Sequence, residues 1–151
     1  MQELLKKLSE KSLTLGSVES MSGGLFAARF TDVPGASKVF KGAVVSYSPL
    51  IKENVVHVKK ETIDKYSVVS SQVAEEMARN GQKLLNVDVL ISITGNAGPT
   101  CEPGEEKVGS VYLGLMIKDK YFGKHLALSG SRDEIRIKSV DEMKSFILEK
   151  I

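Results

Sequence analysis

Two spacings of apolar residues alternate along this chain. Residues 1–11 set Leu4, Leu5 and Leu8 among lysines and glutamates, the pattern of a short amphipathic helix. An apolar and β-branched run at 13–18 predicts a first strand, and 22–30 returns to helical character. The segment 31–37, with Pro34 and Gly35, is dense in turn residues and precedes a second predicted strand at 43–47. Strand, helix and strand in this order form a βαβ unit, which requires parallel strands and a right-handed crossover. The C-terminal ends of both strands therefore share one edge of the sheet.

From Ser48 the pattern is helical through Leu50, Ile51, Asn54 and Val55, with Lys52 about one turn in. A short charged helix is predicted over 60–66. Ser70 or Ser71 caps a longer one carrying Val73, Ala74, Met77, Ala78, Leu84 and Leu85 at helical spacing. The run 87–94 is the most strand-like in the chain, and its near-continuous apolar character suits burial on both faces. It ends in Gly95-Asn96-Ala97-Gly98-Pro99, which opens a loop reaching about Lys107; loops of that length in compact domains tend to be functional or mobile. Two further strands, 108–117 and 121–128, are joined as a hairpin by Lys118-Asp119-Lys120. The first of these should run antiparallel to its predecessor, and the second returns to the parallel direction. Ser131 and Glu134 then form a capping box for a last helix that buries Ile137, Val140, Met143 and Ile147. There is no repeat or linker, so the expectation is one α/β domain over 1–151, built on a mostly parallel five-stranded sheet with one antiparallel strand.

Composition narrows the function classes. A length of 151 residues suffices for a core without disulfides or metal, and a net charge of +2 spread along the chain supplies no basic stripe for nucleic acid. Cys101 is the one cysteine and His57 and His125 are the two histidines, too few for a disulfide framework or a histidine metal site. A lone loop cysteine is usually inert, so Cys101 is not taken as a nucleophile. No apolar run reaches membrane-spanning length, and the expected protein is soluble and cytoplasmic.

The predicted topology gathers four loops, 20–24, 47–52, 95–99 and 129–132, on the sheet edge where open α/β folds bind ligands. They carry Ser20, Ser22, Gly23 and Gly24 at a strand-to-helix turn, Tyr47 and Lys52, the Gly95 to Gly98 turn, and Arg132 at a helix start. Taken singly, each has an ordinary explanation: an N-cap serine, a solvated lysine, a surface arginine. Jointly they hold a hydroxyl that a lysine of lowered pKa could deprotonate, a phenol able to relay the proton, and backbone N–H groups with a guanidinium for an oxyanion or phosphate. No Ser-His-Asp arrangement, P-loop, G-x-G-x-x-G or S-x-x-K is present. The residues by themselves point to a small-molecule α/β enzyme, with a Ser-Lys hydrolase acting on an anionic substrate as one form of it.

At these residues the chain resembles the CinA C-terminal domain family, the nicotinamide mononucleotide (NMN) amidohydrolases. The resemblance is carried by Glu19-Ser20-Met21-Ser22-Gly23-Gly24, Val33-Pro34-Gly35-Ala36-Ser37, Gly42-Ala43-Val44-Val45-Ser46-Tyr47-Ser48 with Lys52, Val69-Ser70, Ser92-Ile93-Thr94-Gly95-Asn96-Ala97-Gly98-Pro99, Val108-Gly109 and Ser129-Gly130-Ser131-Arg132. It implies a three-layer α/β/α sandwich around a mixed sheet, in agreement with the topology above. It also implies hydrolysis of NMN to nicotinate mononucleotide and ammonia in pyridine-nucleotide recycling, without metal or organic cofactor. By position, Ser20 is the implied nucleophile, Lys52 its base and Tyr47 the relay. Ser22, Gly23, Gly24, Gly95, Asn96, Ala97, Gly98 and Arg132 are the expected substrate-binding residues, with the phosphate on turn backbone and Arg132. The expected form is stand-alone, lacking the molybdopterin-binding-like N-terminal domain of some relatives, and a chain of this size can self-associate as a homo-oligomer. Two departures stand out. Pro49 replaces the family's usual Asn, with a shift of the helix start as its expected effect, and 100–104 is bulkier than the family's glycine-rich loop, which would narrow the pocket. Two other readings remain open here: a non-catalytic pyridine-nucleotide sensor, and an interaction subunit for a competence or DNA-repair partner.

Overall fold

Strand β1 (Leu15–Glu19) is buried along its whole length because parallel neighbours flank it on both sides. One neighbour is β2 (Phe40–Val45) and the other β3 (Val89–Gly95); β4 (Ser110–Ile117) and β5 (Lys120–Ala127) extend the sheet beyond β3 in antiparallel pairings. The order is β2-β1-β3-β4-β5 in a computed structural model that describes residues 1–101 and 104–151. Only β4 runs against the other four strands, as expected.

The near-continuous apolar reading of β3 is borne out, for both its faces are covered. Val89, Ile91 and Ile93 point to one side, with Leu15, Leu113 and Leu115, and meet the helices α1 (Gln2–Glu10), α2 (Leu25–Thr31) and α6 (Arg132–Lys150) through Leu4, Leu8, Phe26, Phe30, Met143 and Ile147. Leu90 points the other way, with Val18, towards Val73, Met77 and Ala78 of α5 (Ser71–Leu85). This alternation follows from the two-residue period of a strand. Gly81 lets α5 come down onto the sheet: a Cβ there would lie 3.1 Å from Leu90 Cδ2. The short helices α3 (Pro49–Asn54) and α4 (Lys60–Tyr66) link β2 to α5.

Several boundaries differ from the sequence reading. The first strand starts two residues later than expected, at Leu15, and ends one later, at Glu19, and α2 begins at Leu25, three residues after the predicted start, because the intervening residues form a turn. The second strand starts at Phe40 and stops at Val45, so Tyr47 lies in the connection and not on the strand. Ile137 and Leu84, expected in the core, are exposed. In α6 the buried face is set by Ile135, Ser139, Val140, Met143, Phe146 and Ile147, and Ile137 sits about 200° around the helix from Ile135. The Ser131–Glu134 capping box is present in full, and Ser70 caps α5 by accepting from the Val73 N–H. Pro49 does not disturb α3: it occupies the first helical position, where a missing N–H costs nothing, behind the N-cap Ser48. Among the described residues, no helix is long and apolar enough to cross a membrane.

Candidate active site

The C-terminal ends of β1, β2, β3 and β5 share one edge of the sheet, and a cavity of about 400 Å³ opens there. The chain leaves β1 for β2 on one side and returns through α5 to β3 on the other, so the cavity lies at a reversal of strand order. Open α/β sheets place ligand sites at such points.

Ser20 follows directly on β1, with its N–H donated to Ile93 O of β3 at 3.1 Å. Lys52 reaches it from α3: Nζ donates to Ser20 Oγ at 2.8 Å and to Ser46 O at 2.5 Å. The lysine is 1% exposed and the serine 8%. Among the described residues no carboxylate pairs with the amine; its partners are a hydroxyl and a carbonyl. Burial therefore disfavours the charged form and lowers the Lys52 pKa from 10.5 to about 8. A buried lysine beside a buried serine, with the amine pKa brought down to about 8, has the composition of a nucleophile and its base.

The turn after Ser20 is held by Glu19, to which the sequence alone assigns no role. Glu19 is fully buried, and its carboxylate accepts from Ser17 Oγ at 3.1 Å, Ser22 Oγ at 2.7 Å, Phe26 N at 3.1 Å and Ala27 N at 2.9 Å. The first N–H groups of α2 thus meet the protein's own anion and are not offered to a ligand. Ser22 spends its hydroxyl on Glu19, while Gly23 and Gly24 turn the backbone at φ +62° and +92° into α2; none of these three residues lines the cavity. Arg136 of α6 braces the same turn by donating to Ser22 O at 2.9 Å. The available signal for Glu19 was a charged residue closing an otherwise apolar strand. Glu19→Ala should lower the free energy of unfolding by about 3 kcal/mol in urea denaturation, since it strands two amides and two hydroxyls in a buried site. A loss below about 1 kcal/mol would deny it this role.

On the opposite wall the 95–98 turn is present as expected, with mixed uses. Gly95 packs against β4, where a Cβ would meet Val111 Cγ2 at 2.8 Å and Ser110 O at 2.9 Å. Asn96 folds its side chain into the loop, accepting from Gly98 N at 2.8 Å and donating to Glu106 O at 3.1 Å. Ala97 is buried in the core, and all four residues of the turn line the cavity. Arg132 closes the mouth: Nη1 donates to Gly98 O at 2.5 Å and Nη2 to Tyr47 OH at 3.1 Å. Tyr47 is 61% exposed, and its recorded bond goes to Arg132, not to Ser20 or Lys52. Of the 100–104 segment, Thr100 lines the cavity and Cys101 is exposed; Glu102 and Pro103 lie outside the described residues, and with them part of the expected narrowing. His57 is exposed and is not among the residues lining the cavity, whereas His125 on β5 contacts Ser110 and Tyr112. Among the described residues, no group of three or more His, Cys, Asp or Glu is arranged to hold a metal ion.

The sequence model of the CinA C-terminal domain matches residues 1–151. The chain belongs to the CinA C-terminal domain family. A relative from Thermoanaerobacter pseudethanolicus, named as a competence-damage inducible protein, is 49% identical over 141 residues, 93% of this chain and 34% of its own length. A CinA-like protein of Dictyoglomus thermophilum is 46% identical over 130 residues, 86% of this chain and 32% of its own. The chain therefore spans about a third of the length of these curated relatives. Among solved structures, a competence-damaged protein (CinA) superfamily protein from Escherichia coli superposes with a TM-score of 0.96 at 25% identity, covering 99% of this chain and 87% of that one. A competence/damage inducible protein from Agrobacterium tumefaciens gives 0.94 at 25% identity, covering 98% and 91%. The three-layer α/β/α architecture is thus that of the CinA superfamily.

Proposed function

We propose that this CinA-family domain is an amidohydrolase that converts NMN to nicotinate mononucleotide and ammonia. The observation that carries the reading is the 2.8 Å contact between Ser20 Oγ and a Lys52 amine whose pKa burial has lowered to about 8. A binding module would gain nothing from desolvating a lysine, whereas a hydrolase needs an amine that can be neutral near physiological pH. The family's association with this reaction, stated above as a resemblance, supplies the substrate.

In the proposed mechanism neutral Lys52 takes the Ser20 proton as Oγ attacks the carboxamide carbon. The tetrahedral intermediate collapses as Lys52 returns that proton to the departing nitrogen, which leaves as ammonia. Water, deprotonated by Lys52, then attacks the acyl carbon; the C–Oγ bond breaks, Lys52 returns the proton to Ser20 Oγ, and nicotinate mononucleotide leaves. Arg132 at the mouth is the proposed partner of the phosphate, with backbone of the 95–98 turn beside it. Tyr47 joins the proton path once its hydroxyl leaves Arg132, an exchange that phosphate binding at the guanidinium would favour.

The test is ammonia and nicotinate mononucleotide release from NMN by the purified protein, followed across pH. With Lys52 near 8, roughly a tenth of the enzyme holds the neutral base at pH 7. The rate constant kcat/KM should therefore rise with pH and level off above about 8. Product formation that is flat across this range removes Lys52 as the base. Binding of NMN without turnover at any pH replaces the enzyme with a sensing module.

A further inference from the structure

Glu106 also lines the cavity with Ser20 and Lys52, and its carboxylate is fixed at both oxygens. Tyr112 OH donates to Oε1 at 3.0 Å and Ser110 Oγ to Oε2 at 3.0 Å. Ser110 and Tyr112 are two residues apart on β4 and so present their side chains on one face of the sheet. Behind them His125, the register partner of Tyr112 on β5, stacks its ring on the tyrosine with centroids 4.3 Å apart and planes 12° apart, and its Nε2 lies 2.8 Å from Ser110 Oγ. Ser110 has one proton, committed to Glu106, so it accepts from His125, and the chain of donors runs His125 Nε2–H to Ser110 Oγ–H to Glu106 Oε2. Burial, then the Glu106 carboxylate, raises the Tyr112 pKa and keeps the phenol a donor.

This arrangement aims an anion at the ligand. A carboxylate offers about four acceptor positions, and the described residues use one on each oxygen through their side chains, which leaves a pair to meet a bound molecule. Such a pair matches two adjacent hydroxyl donors. Lys52 and Arg132 at the cavity are basic and are taken up by the proposed proton transfer and phosphate; Glu105 lines the cavity as well, but Glu106 is the carboxylate anchored to β4 by Ser110 and Tyr112, placed for whatever part of the substrate donates hydrogen bonds. Resting on the nucleotide reading above, we propose that Glu106 is a specificity-determining residue that accepts hydrogen bonds from the ribose 2′- and 3′-hydroxyls, so that the site selects ribonucleotides over their deoxy counterparts. The locked carboxylate pays no ordering entropy when the sugar arrives, which is what a selective contact requires.

The experiment compares NMN with its 2′,3′-dideoxyribosyl analogue, by calorimetric titration and by ammonia release, on the protein and on Glu106→Gln. The protein should bind NMN at least about tenfold more tightly than the analogue, the range expected when two hydrogen bonds to a charged acceptor are lost. Glu106→Gln should weaken NMN binding by about tenfold, leave the analogue nearly unchanged, and lower kcat by less than about twofold, so that discrimination collapses. Equal affinity of the unsubstituted protein for the two ligands overturns the assignment without recourse to any variant. So does discrimination that persists in Glu106→Gln, which would leave the carboxylate with only the task of holding the 96–109 loop to β4. NMN turnover with no ribose discrimination sinks the sugar contact and spares the amidase. Ribose discrimination in binding without turnover does the reverse.

Discussion

Ser20→Ala is expected to abolish ammonia release from NMN, lowering kcat/KM by at least about 10³-fold, while leaving the protein folded. The reasoning begins with what the hydroxyl does in the resting structure. Its recorded side-chain hydrogen bond is the one from Lys52 at 2.8 Å, and the amine keeps its second acceptor, Ser46 O, when that bond is lost. Removing it should cost the fold only about 1 kcal/mol. The turn that presents residue 20 is held by Glu19 and Arg136, neither of which bonds to the Ser20 side chain. The variant should therefore retain its circular dichroism and its affinity for NMN. If ammonia release survives at more than a few per cent, Ser20 is not the nucleophile, and no argument from damaged structure can rescue the assignment.

Lys52→Met should separate stability from activity in opposite directions. The unfolded chain keeps a proton on this lysine up to its ordinary value of 10.5, the folded chain only up to about 8. Between those values the unfolded state binds the additional proton, so stability rises with pH through the window and is lowest below it. A shift of this size corresponds to about 3 kcal/mol carried as a penalty at neutral pH. Methionine has a similar length and no charge to desolvate. After allowance for the two hydrogen bonds it cannot make, a net gain of about 2 kcal/mol in urea denaturation at pH 7 is expected, together with loss of turnover by about 10³-fold or more. The gain should shrink as the pH is raised towards 10, because the parent protein then folds with its lysine already neutral. A destabilised Lys52→Met at pH 7 would mean that the two hydrogen bonds outweigh the burial of the charge.

The features legible in the sequence are those fixed by near neighbours. The capping box at Ser131 and Glu134, the Ser70 cap, the doubly buried β3 and the single antiparallel strand each follow from a few adjacent residues or from the order of elements. That order alone carried Ser20, Lys52, the 95–98 turn and Arg132 to one edge, and the cavity contains them all. Features set by distant partners were not legible. Glu19 finds Phe26 N and Ala27 N because α2 starts three residues later than the hydrophobic pattern suggests. Gly81 is explained only by Val18 and Leu90, which reach it from two different strands. The Tyr47 hydroxyl lies on Arg132, 85 positions away, a choice of rotamer that no local spacing encodes. Glu106 sits in a loop whose length was noted, but its two anchors lie on a strand whose register only the sheet defines.

Helix α3 has one buried residue, and it is Lys52. Leu50 and Ile51 of the same helix face outward, so no apolar side chain of α3 itself fastens it to the body of the protein. The base is thus also the peg that seats its own helix, driven into the sheet edge and tied there to the end of β1 and to the strand connection at Ser46. Leu50 and Ile51 are thus left with little share in seating the helix, while the one buried position answers to docking and to proton transfer at once.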